Sequence, residues 1–399
     1  MKILHVIPKF PLTLNGTVIG GAANSLYNLA KSQSTENEVN ITSFFPSFIP
    51  GQDSLSSNLV FNPIKMLSRP NSTQFGLEFI TRLLLLTNKY KGNFDVLHGH
   101  SGHIDYIIPL TILSKLLKIP IVYSLSCPVT ITSNITKFPG RRSLIASFAK
   151  DVNKFIAISN NVSESMRLVG IQKEQIAIIP PAVDITKFRY TQDTFRFRKK
   201  FNIKDNAPVF LFVGSVAPTK NLETVIFALR KVVDNLPSAV LIITTELNLS
   251  HYRERGTYLL KLIEEMHLQN NVIQMGIIDN MQEVMAAADM LIAPFRSTDG
   301  PSDYFLAALE TMSVGRPVIV SSVGGMKEIV NDEIGLFVSP EDSDQLASAM
   351  LSLAENDRRR LRMGNNATSL IKAKFDPEVI SEAVGMVYME VMQNETRQY

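Results

Sequence analysis

The chain has 399 residues, of which 45% are hydrophobic and 19% charged, and its 40 basic and 37 acidic side chains give a net charge of +3. This composition excludes a disordered chain, a fibrous protein and a small disulfide-stabilised scaffold. The charge is divided unevenly, because residues 1–190 carry 19 basic and 10 acidic side chains, a net +9, whereas residues 191–399 carry a net −6.

Short aliphatic and β-branched runs alternate with segments of helical periodicity, which is typical of a parallel α/β sheet. In the first half we predict strands at 2–8, 39–45, 96–100, 120–126, 155–159 and 176–180. The helices predicted between them are 21–33, 75–90, 103–118, 141–151 and 160–169. The second half repeats the rhythm, with strands at 209–214, 239–245, 272–276, 290–294, 317–321 and 336–339. The sequence therefore predicts an α/β protein with two doubly wound, Rossmann-like domains.

Composition shifts suggest the domain boundaries. We place an N-terminal domain at 1–185, a polar and basic linker at 186–207, a second domain at 208–375 and a terminal amphipathic helix within 376–399. That helix begins at Asp376-Pro377, a favourable helix start.

The chain carries no sign of secretion or of a membrane span. Cys127 is the single cysteine. The first residues are too short and too polar a run for a signal peptide, and the apolar windows fall short of the roughly 20 residues that a span needs. We therefore expect a cytoplasmic protein.

The stretch from Pro294 to Ser322 carries the strongest chemical signal. It reads as a strand, a loop, a helix from Asp303 to Val314 that Gly315 ends, and a further strand. Asp303 and Glu310 would lie two helical turns apart on one face, about 10 Å apart along the axis. Free amides at the helix start would suit a diphosphate. The simpler alternative makes Asp303 only a helix cap and Glu310 a solvated side chain.

Three other segments bear polar or flexible residues at predicted strand ends. Gly20 and Gly21 precede the first helix, but their spacing is not the dinucleotide-binding pattern, which disfavours a nicotinamide cofactor. Lys220 follows the first strand of the second domain, where it would meet a diphosphate as a point charge or be an ordinary exposed lysine.

Three histidines cluster after Leu97. Neither a cysteine nor a carboxylate pair accompanies them to complete a metal site. We therefore predict that His98 is a packed core residue, that His100 and His103 are polar groups of a pocket, and that the protein binds no metal.

Taken in order, these motifs resemble the retaining family-four glycosyltransferases over nearly the whole chain. The resemblance rests on Gly20-Gly21, the run from Asp95 to His100, Ala157-Ile158-Ser159, Ile179 to Asp184, Val213-Gly214 with Lys220, Leu309-Glu310-Thr311-Met312 and Gly315-Arg316-Pro317. It implies the GT-B fold, in which two Rossmann-like domains face a central cleft. The second domain would hold a nucleotide-sugar, the first the acceptor, and the terminal helix would cross back between them.

The resemblance also implies roles for individual residues. Glu310 would hold the ribose hydroxyls, Lys220 the diphosphate, and the amides near Tyr304 and Phe305 the phosphate oxygens. Asp303 would lie beside the donor sugar. The residues expected to be catalytic are thus Asp303, Glu310 and His100, and those expected to bind the donor are Gly20, Gly21, Lys220, Arg296, Tyr304, Phe305 and Glu310. Retaining transfer would need neither a cofactor nor a metal, because the nucleoside-diphosphate sugar is a co-substrate.

The chain departs from the usual family pattern at several positions. Ser302 stands in place of the first glutamate, so Asp303 is taken as its substitute, and Ser215 replaces an arginine. Where a histidine is common the chain reads Ser124-Leu125-Ser126, and its role would fall to Ser126, His100 or His103, or be absent. Pro181-Ala182 replaces asparagine-glycine.

These departures keep two alternatives to an active transferase open: a non-catalytic GT-B subunit that binds a partner, and a nucleotide-sugar epimerase. The acceptor would be a polysaccharide under synthesis, a glycolipid or a small molecule. The excess positive charge of the first domain suggests an anionic acceptor or an anionic membrane face, with a merely solubilising surface as the alternative. Its candidate residues are Lys137, Arg141, Arg142, Lys150 and Lys154. The charge balance suggests no nucleic-acid partner.

Overall fold

A computed structural model of the full chain shows how these segments fold. It describes residues 1–8, 21–44, 57–64, 73–129, 141–190, 194–245, 253–276, 278, 280–298 and 302–396.

The strands of the described residues are short, and most of their side chains are buried. In the first half they are β1 (Lys2–Ile7), β2 (Glu38–Phe44), β3 (Leu59–Ile64), β4 (Val96–Ser101), β5 (Ile121–Leu125), β6 (Lys154–Ala157) and β7 (Ile176–Ile178). In the second half they are β8 (Val209–Phe212), β9 (Val240–Thr244), β10 (Val272–Met275), β11 (Met290–Ala293), β12 (Val318–Ser321) and β13 (Gly335–Val338).

Helices connect most of these strands. The first seven are α1 (Gly21–Gln33), α2 (Thr73–Leu85), α3 (Thr87–Tyr90), α4 (Ile107–Leu117), α5 (Arg141–Ala149), α6 (Asn160–Leu168) and α7 (Thr194–Lys200). They are followed by α8 (Leu222–Asn235), α9 (Arg253–Glu265), α10 (Met281–Ala287), α11 (Leu306–Ser313), α12 (Ser343–Ala354), α13 (Asp357–Lys374) and α14 (Pro377–Thr396).

The chain forms two compact units. Unit 1 comprises residues 1–182, 299–304 and 375–399, and unit 2 comprises residues 183–298 and 305–374. The segment 186–207, expected to be a linker, belongs to unit 2 and includes α7. Two short stretches distant in sequence from the rest of unit 1 are thus part of it: the loop before α11 and the terminal helix α14.

Each unit is built on a parallel sheet. In unit 1 the strand order is β3-β2-β1-β4-β5-β6-β7, and in unit 2 it is β10-β9-β8-β11-β12-β13. Both orders run outward from the first strand of the sheet in two directions, as in Rossmann-like folds, so each sheet has a switch point where ligands usually bind at the carboxyl ends of the strands. The predicted fold class of two doubly wound α/β sheets is confirmed.

The core of unit 1 is closed by the terminal helix. Ile380, Val384, Tyr388 and Val391 of α14 recur at helical spacing and are buried. They pack in one cluster with residues of β1, β2 and α1. This apolar face fits the predicted amphipathic helix.

Three differences from the sequence-based elements have physical reasons. Strand β3 was not predicted, because Pro63 interrupts a short run, and such a proline is tolerated since β3 lies at the sheet edge. The single helix expected over 75–90 is broken at Leu86 into α2 and α3. Helix α11 begins at Leu306 rather than Asp303, because the backbone of Phe305 is extended.

Candidate functional site

The site in unit 2 is built at the start of α11 and the ends of β8 and β11. The carboxylate of Glu310 lies on α11 and is half-buried. Burial raises its pKa to about 8, and the charge of Asp184 raises it further while Lys187 opposes the shift. A carboxyl group whose pKa is raised by burial is a feature that functional sites often show.

Lys220 lies in a short turn that follows β8. Its Nζ stands 4.2 Å from the centroid of the Phe295 ring. The Phe295 ring in turn packs edge-on against Phe305, the residue that precedes α11, at 4.4 Å between centroids. The Phe295 and Phe305 rings therefore connect the cationic Nζ of Lys220 to the start of α11. A cation and the amides of a helix start are both groups that suit an anionic ligand.

Arg296 follows β11 but already has acidic partners. Its Nη1 lies 3.0 Å from Glu223 and its Nε 2.9 Å from Glu341. A diphosphate at this guanidinium would therefore share its positive charge with two carboxylates.

Asp303 does not lie on the helix with Glu310, and the expected two-turn spacing on one helical face is wrong because α11 begins three residues later. Asp303 is fully buried in unit 1. Its two carboxylate oxygens accept hydrogen bonds from the hydroxyl of Ser159 at 2.6 Å and the amide of Asn161 at 2.9 Å. It does not cap α11, whose first turn has no side-chain cap.

Tyr304 and Phe305 are assigned to different units. Phe305 belongs to unit 2 and directly precedes α11, so its amide is placed to help bind an anion. Tyr304 belongs to unit 1, is 4% exposed, and packs its ring edge-on against Phe375 at 5.6 Å. Because α11 begins at Leu306, Tyr304 lies two residues before the helix.

Three histidines of unit 1, His5, His98 and His100, form a cluster. His98 is fully buried, as predicted, and its ring lies 3.9 Å from that of His100, centroid to centroid. His5, directly opposite His98 on the neighbouring strand β1, completes the cluster. Burial lowers the pKa of all three rings, that of His5 to about 4.

Sequence reasoning missed three members of this hydrogen-bonded group: His5, Gln33 and Tyr388. Gln33 accepts a bond of 2.8 Å from His5, and the Tyr388 hydroxyl lies 2.6 Å from Nδ1 of His98. His5 lies in the middle of β1 opposite His98 of β4, and the pairing of these two strands was not predicted from the sequence. Gln33 and Tyr388 gave no signal, since each sits on an otherwise apolar helix face.

The ring nitrogens of His5, His98 and His100 all lie within 4.8 Å of one another, a spacing that could hold a metal ion. Both nitrogens of His5 and of His98 are already engaged in hydrogen bonds. A metal would have to displace those partners, so the group is better described as a hydrogen-bonded cluster.

The remaining predicted residues lie at or near the carboxyl edge of the unit 1 sheet. The carbonyl of Ser126 accepts a 2.7 Å bond from the backbone amide of Asp303. The side chain of His103 is exposed, and its carbonyl accepts a 2.6 Å bond from Tyr123. Gly21 is the first residue of α1, and Gly20 lies outside the described residues.

Among the described residues, no helix has both the length and the apolar character that crossing a membrane requires.

Two parallel Rossmann-like units, with a cation and a helix start at one sheet edge, define the GT-B class. A family model described as "Glycosyl transferases group 1" matches residues 193–370, and one described as "Glycosyltransferase Family 4" matches residues 19–187. The chain belongs to the family-four glycosyltransferases.

Relatives and solved structures agree with this assignment. An uncharacterized glycosyltransferase of Methanocaldococcus jannaschii is 25% identical over 245 residues, and the match spans 60% of each chain. N-acetyl-alpha-D-glucosaminyl L-malate synthase of Bacillus anthracis is 22% identical over 76% of each chain. The crystal structure of Anabaena HepE in complex with UDP has a similar fold, with a TM-score of 0.79 at 19% identity over 98% of this chain and 100% of that one.

Proposed function

We propose that this protein transfers a sugar from a nucleoside-diphosphate sugar to an acceptor hydroxyl, with retention of the anomeric configuration and without a metal ion. The observation that carries the proposal is that Lys220 contacts the pair of rings, Phe295 and Phe305, that leads into α11, the helix of unit 2 that also carries Glu310. A carboxylate suits ribose hydroxyls, and a cation beside free helix amides suits a diphosphate.

The comparisons support a nucleotide donor. The fold neighbour HepE has been crystallised with UDP and with UDP-glucose. A thermal shift measured with UDP-, GDP- and ADP-sugars would identify the donor, because a ligand that binds only the native state raises the melting temperature. No shift with any of them would contradict the proposal. Product analysis by NMR gives the anomeric configuration, and activity that persists in EDTA supports metal independence.

The alternatives differ from a transferase in measurable ways. A non-catalytic subunit would bind the sugar nucleotide without consuming it, and an epimerase would convert it to an isomer with no acceptor present. The acceptor, in our proposal, is a growing polysaccharide, a glycolipid or a small molecule. A screen that follows nucleotide release with each class decides among them.

We also propose that unit 1 contacts an anionic membrane face on the cytoplasmic side. Lys150 is exposed, and Leu116 and Leu144 of the neighbouring helices α4 and α5 are 46% and 48% exposed. Lys154 is unsuited to this role, because its side chain is 14% exposed and pairs with Glu390 at 2.7 Å. Sedimentation with phosphatidylglycerol vesicles but not phosphatidylcholine vesicles is expected, and equal sedimentation with both would contradict the contact.

A further inference from the structure

Three polar side chains connect the interior of unit 1 to the carboxyl edge of its sheet. Nε2 of His100 lies 2.9 Å from Nδ1 of His5, and Nε2 of His5 lies 2.8 Å from Oε1 of Gln33. His5 is fully buried and Gln33 is 2% exposed, so water does not compete for these bonds. The three groups form a continuous hydrogen-bonded row.

The amide oxygen of Gln33 determines where the protons lie. An amide oxygen only accepts hydrogen bonds, so Nε2 of His5 must carry hydrogen. Because burial keeps His5 neutral, with a pKa of about 4, its Nδ1 is then an acceptor. Nε2 of His100 must therefore be the donor of the 2.9 Å bond. A neutral His100 with hydrogen on Nε2 has a free lone pair on Nδ1.

A second branch is consistent with this orientation of the Gln33 amide. Its Nε2 donates to the hydroxyl of Tyr388 at 3.5 Å, and that hydroxyl lies 2.6 Å from Nδ1 of His98. Nε2 of His98 lies 2.7 Å from the hydroxyl of Ser124. Each group along this branch can donate to the next. The opposite amide orientation would reverse the bond to His5 and place the hydrogen of His100 on Nδ1.

His100 is the member of the cluster that reaches the binding edge. It is the penultimate residue of β4 and is half-buried, whereas His5 and His98 are fully buried. Within the described part of the chain, no hydrogen bond is made to its Nδ1. Ligands of doubly wound sheets bind at this edge.

We propose that Gln33 and His5 are positioning residues that hold His100 with its hydrogen on Nε2, so that Nδ1 accepts a hydrogen bond from a ligand hydroxyl at the edge of the unit 1 sheet. The ligand class is a polyhydroxylated acceptor, a sugar or a polyol, and this part rests on the proposed transferase function. His100 orients the hydroxyl and takes no proton from it.

Nitrogen NMR of the full chain labelled with 15N-histidine tests the inference without any activity. The chain has six histidines, and the spectrum of a His100→Gln variant assigns the signals of His100. We expect an unprotonated Nδ1 and a protonated Nε2 for His100 in the wild type. A protonated Nδ1 would overturn the proposal.

Two variants separate the role of Gln33 from general damage to the cluster. Gln33→Met removes the oxygen that His5 needs and also the donor to Tyr388, and His100 should then populate both tautomers. Tyr388→Phe removes the hydroxyl but keeps the oxygen of Gln33, so the tautomer of His100 should be unchanged. A wild-type tautomer in Gln33→Met, or an altered one in Tyr388→Phe, would overturn the role given to Gln33.

Hydrolysis of the sugar nucleotide found by thermal shift supplies the kinetic test, with water in place of the acceptor hydroxyl. In Gln33→Met, kcat should fall in proportion to the fraction of His100 side chains that no longer carry hydrogen on Nε2. The KM for the donor should stay unchanged. A raised KM with unchanged kcat would argue against positioning. If the wild type shows the expected tautomer but turns over no donor, the proposed function fails while the arrangement of the row stands.

Discussion

The hydroxyl of Ser159 donates a 2.6 Å hydrogen bond to the carboxylate of Asp303, a residue 144 positions later in the chain. Ser159 also caps α6 by accepting a bond from the amide of Val162 at 3.1 Å. Asn161 holds the other carboxylate oxygen, and the backbone amide of Asp303 bonds to the carbonyl of Ser126. The loop before α11 is thereby attached to two strand ends of unit 1.

Asp303→Ala should lower the free energy of unfolding by about 3 kcal/mol, because hydrogen bonds to a charged group contribute about 1.5 to 3 kcal/mol each and a buried donor is left unpaired. Urea denaturation measures the change. Asp332→Ala is the matched control, since Asp332 is exposed and its loss should change the stability by under about 0.5 kcal/mol. Equal stability of the two variants would contradict a structural role. The contact of Asp303 with the donor sugar stays a prediction, which a raised KM in a stable variant would support.

Glu310→Ala should weaken binding of the sugar nucleotide identified by thermal shift by about 1.5 to 3 kcal/mol, because a charged acceptor for the ribose hydroxyls would be lost. Titration calorimetry measures the affinity. Glu355→Ala, at an exposed position of unit 2, should bind as the wild type does. Unchanged affinity in Glu310→Ala would place the ribose elsewhere.

Binding of that sugar nucleotide should become tighter as the pH rises toward 8. Burial raises the pKa of Glu310 to about 8, so at neutral pH the free protein holds a proton that the ionised, ribose-binding form must release. The affinity should rise by up to about tenfold per pH unit below this pKa and level off above it. Calorimetry in buffers of different ionisation enthalpy counts the released proton. Glu310→Gln should bind without this pH dependence.

If the donor identified by thermal shift is a UDP-sugar, Lys220→Met should weaken binding of UDP by about 1.5 to 3 kcal/mol and leave binding of uridine unchanged. The methionine keeps the apolar contact with Phe295 but loses the charge that meets the diphosphate. Competition titrations with the two ligands measure the difference. Lys261→Met, at an exposed position of α9, is the control. A loss of uridine binding in Lys220→Met would indicate damage to the site instead of a lost diphosphate contact.

The protein should lose stability as the pH falls from 6.5 to 4. Burial lowers the pKa of His5 to about 4, so below pH 6.5 the unfolded chain binds a proton that the folded chain does not. Because each tenfold loss of proton affinity corresponds to about 1.4 kcal/mol, His5 alone should cost roughly 3 kcal/mol across this range, and the stability it contributes is complete above pH 6.5. His5→Gln should flatten the curve measured by urea denaturation. His267→Asn, at an exposed position, should leave it as steep as in the wild type.

The alternation of strands and helices along the chain was sufficient to predict two doubly wound sheets, because burial of a parallel strand demands a local run of apolar residues. The same local logic predicted the buried His98 and the apolar face of α14. It also directed attention to Lys220, which follows a strand end, whereas Glu310 was singled out by its spacing from Asp303 and by the family resemblance.

Contacts between distant segments were decided only by the tertiary structure. The local pattern around Asp303 reads as a helix start, yet its carboxylate is bonded to Ser159 and Asn161, so α11 begins later. Likewise, nothing near Gln33 indicates that its amide meets His5 and Tyr388. Periodicity reports which face of an element is buried, but the partner of a buried polar group depends on which other elements pack there, and that is set by the fold as a whole.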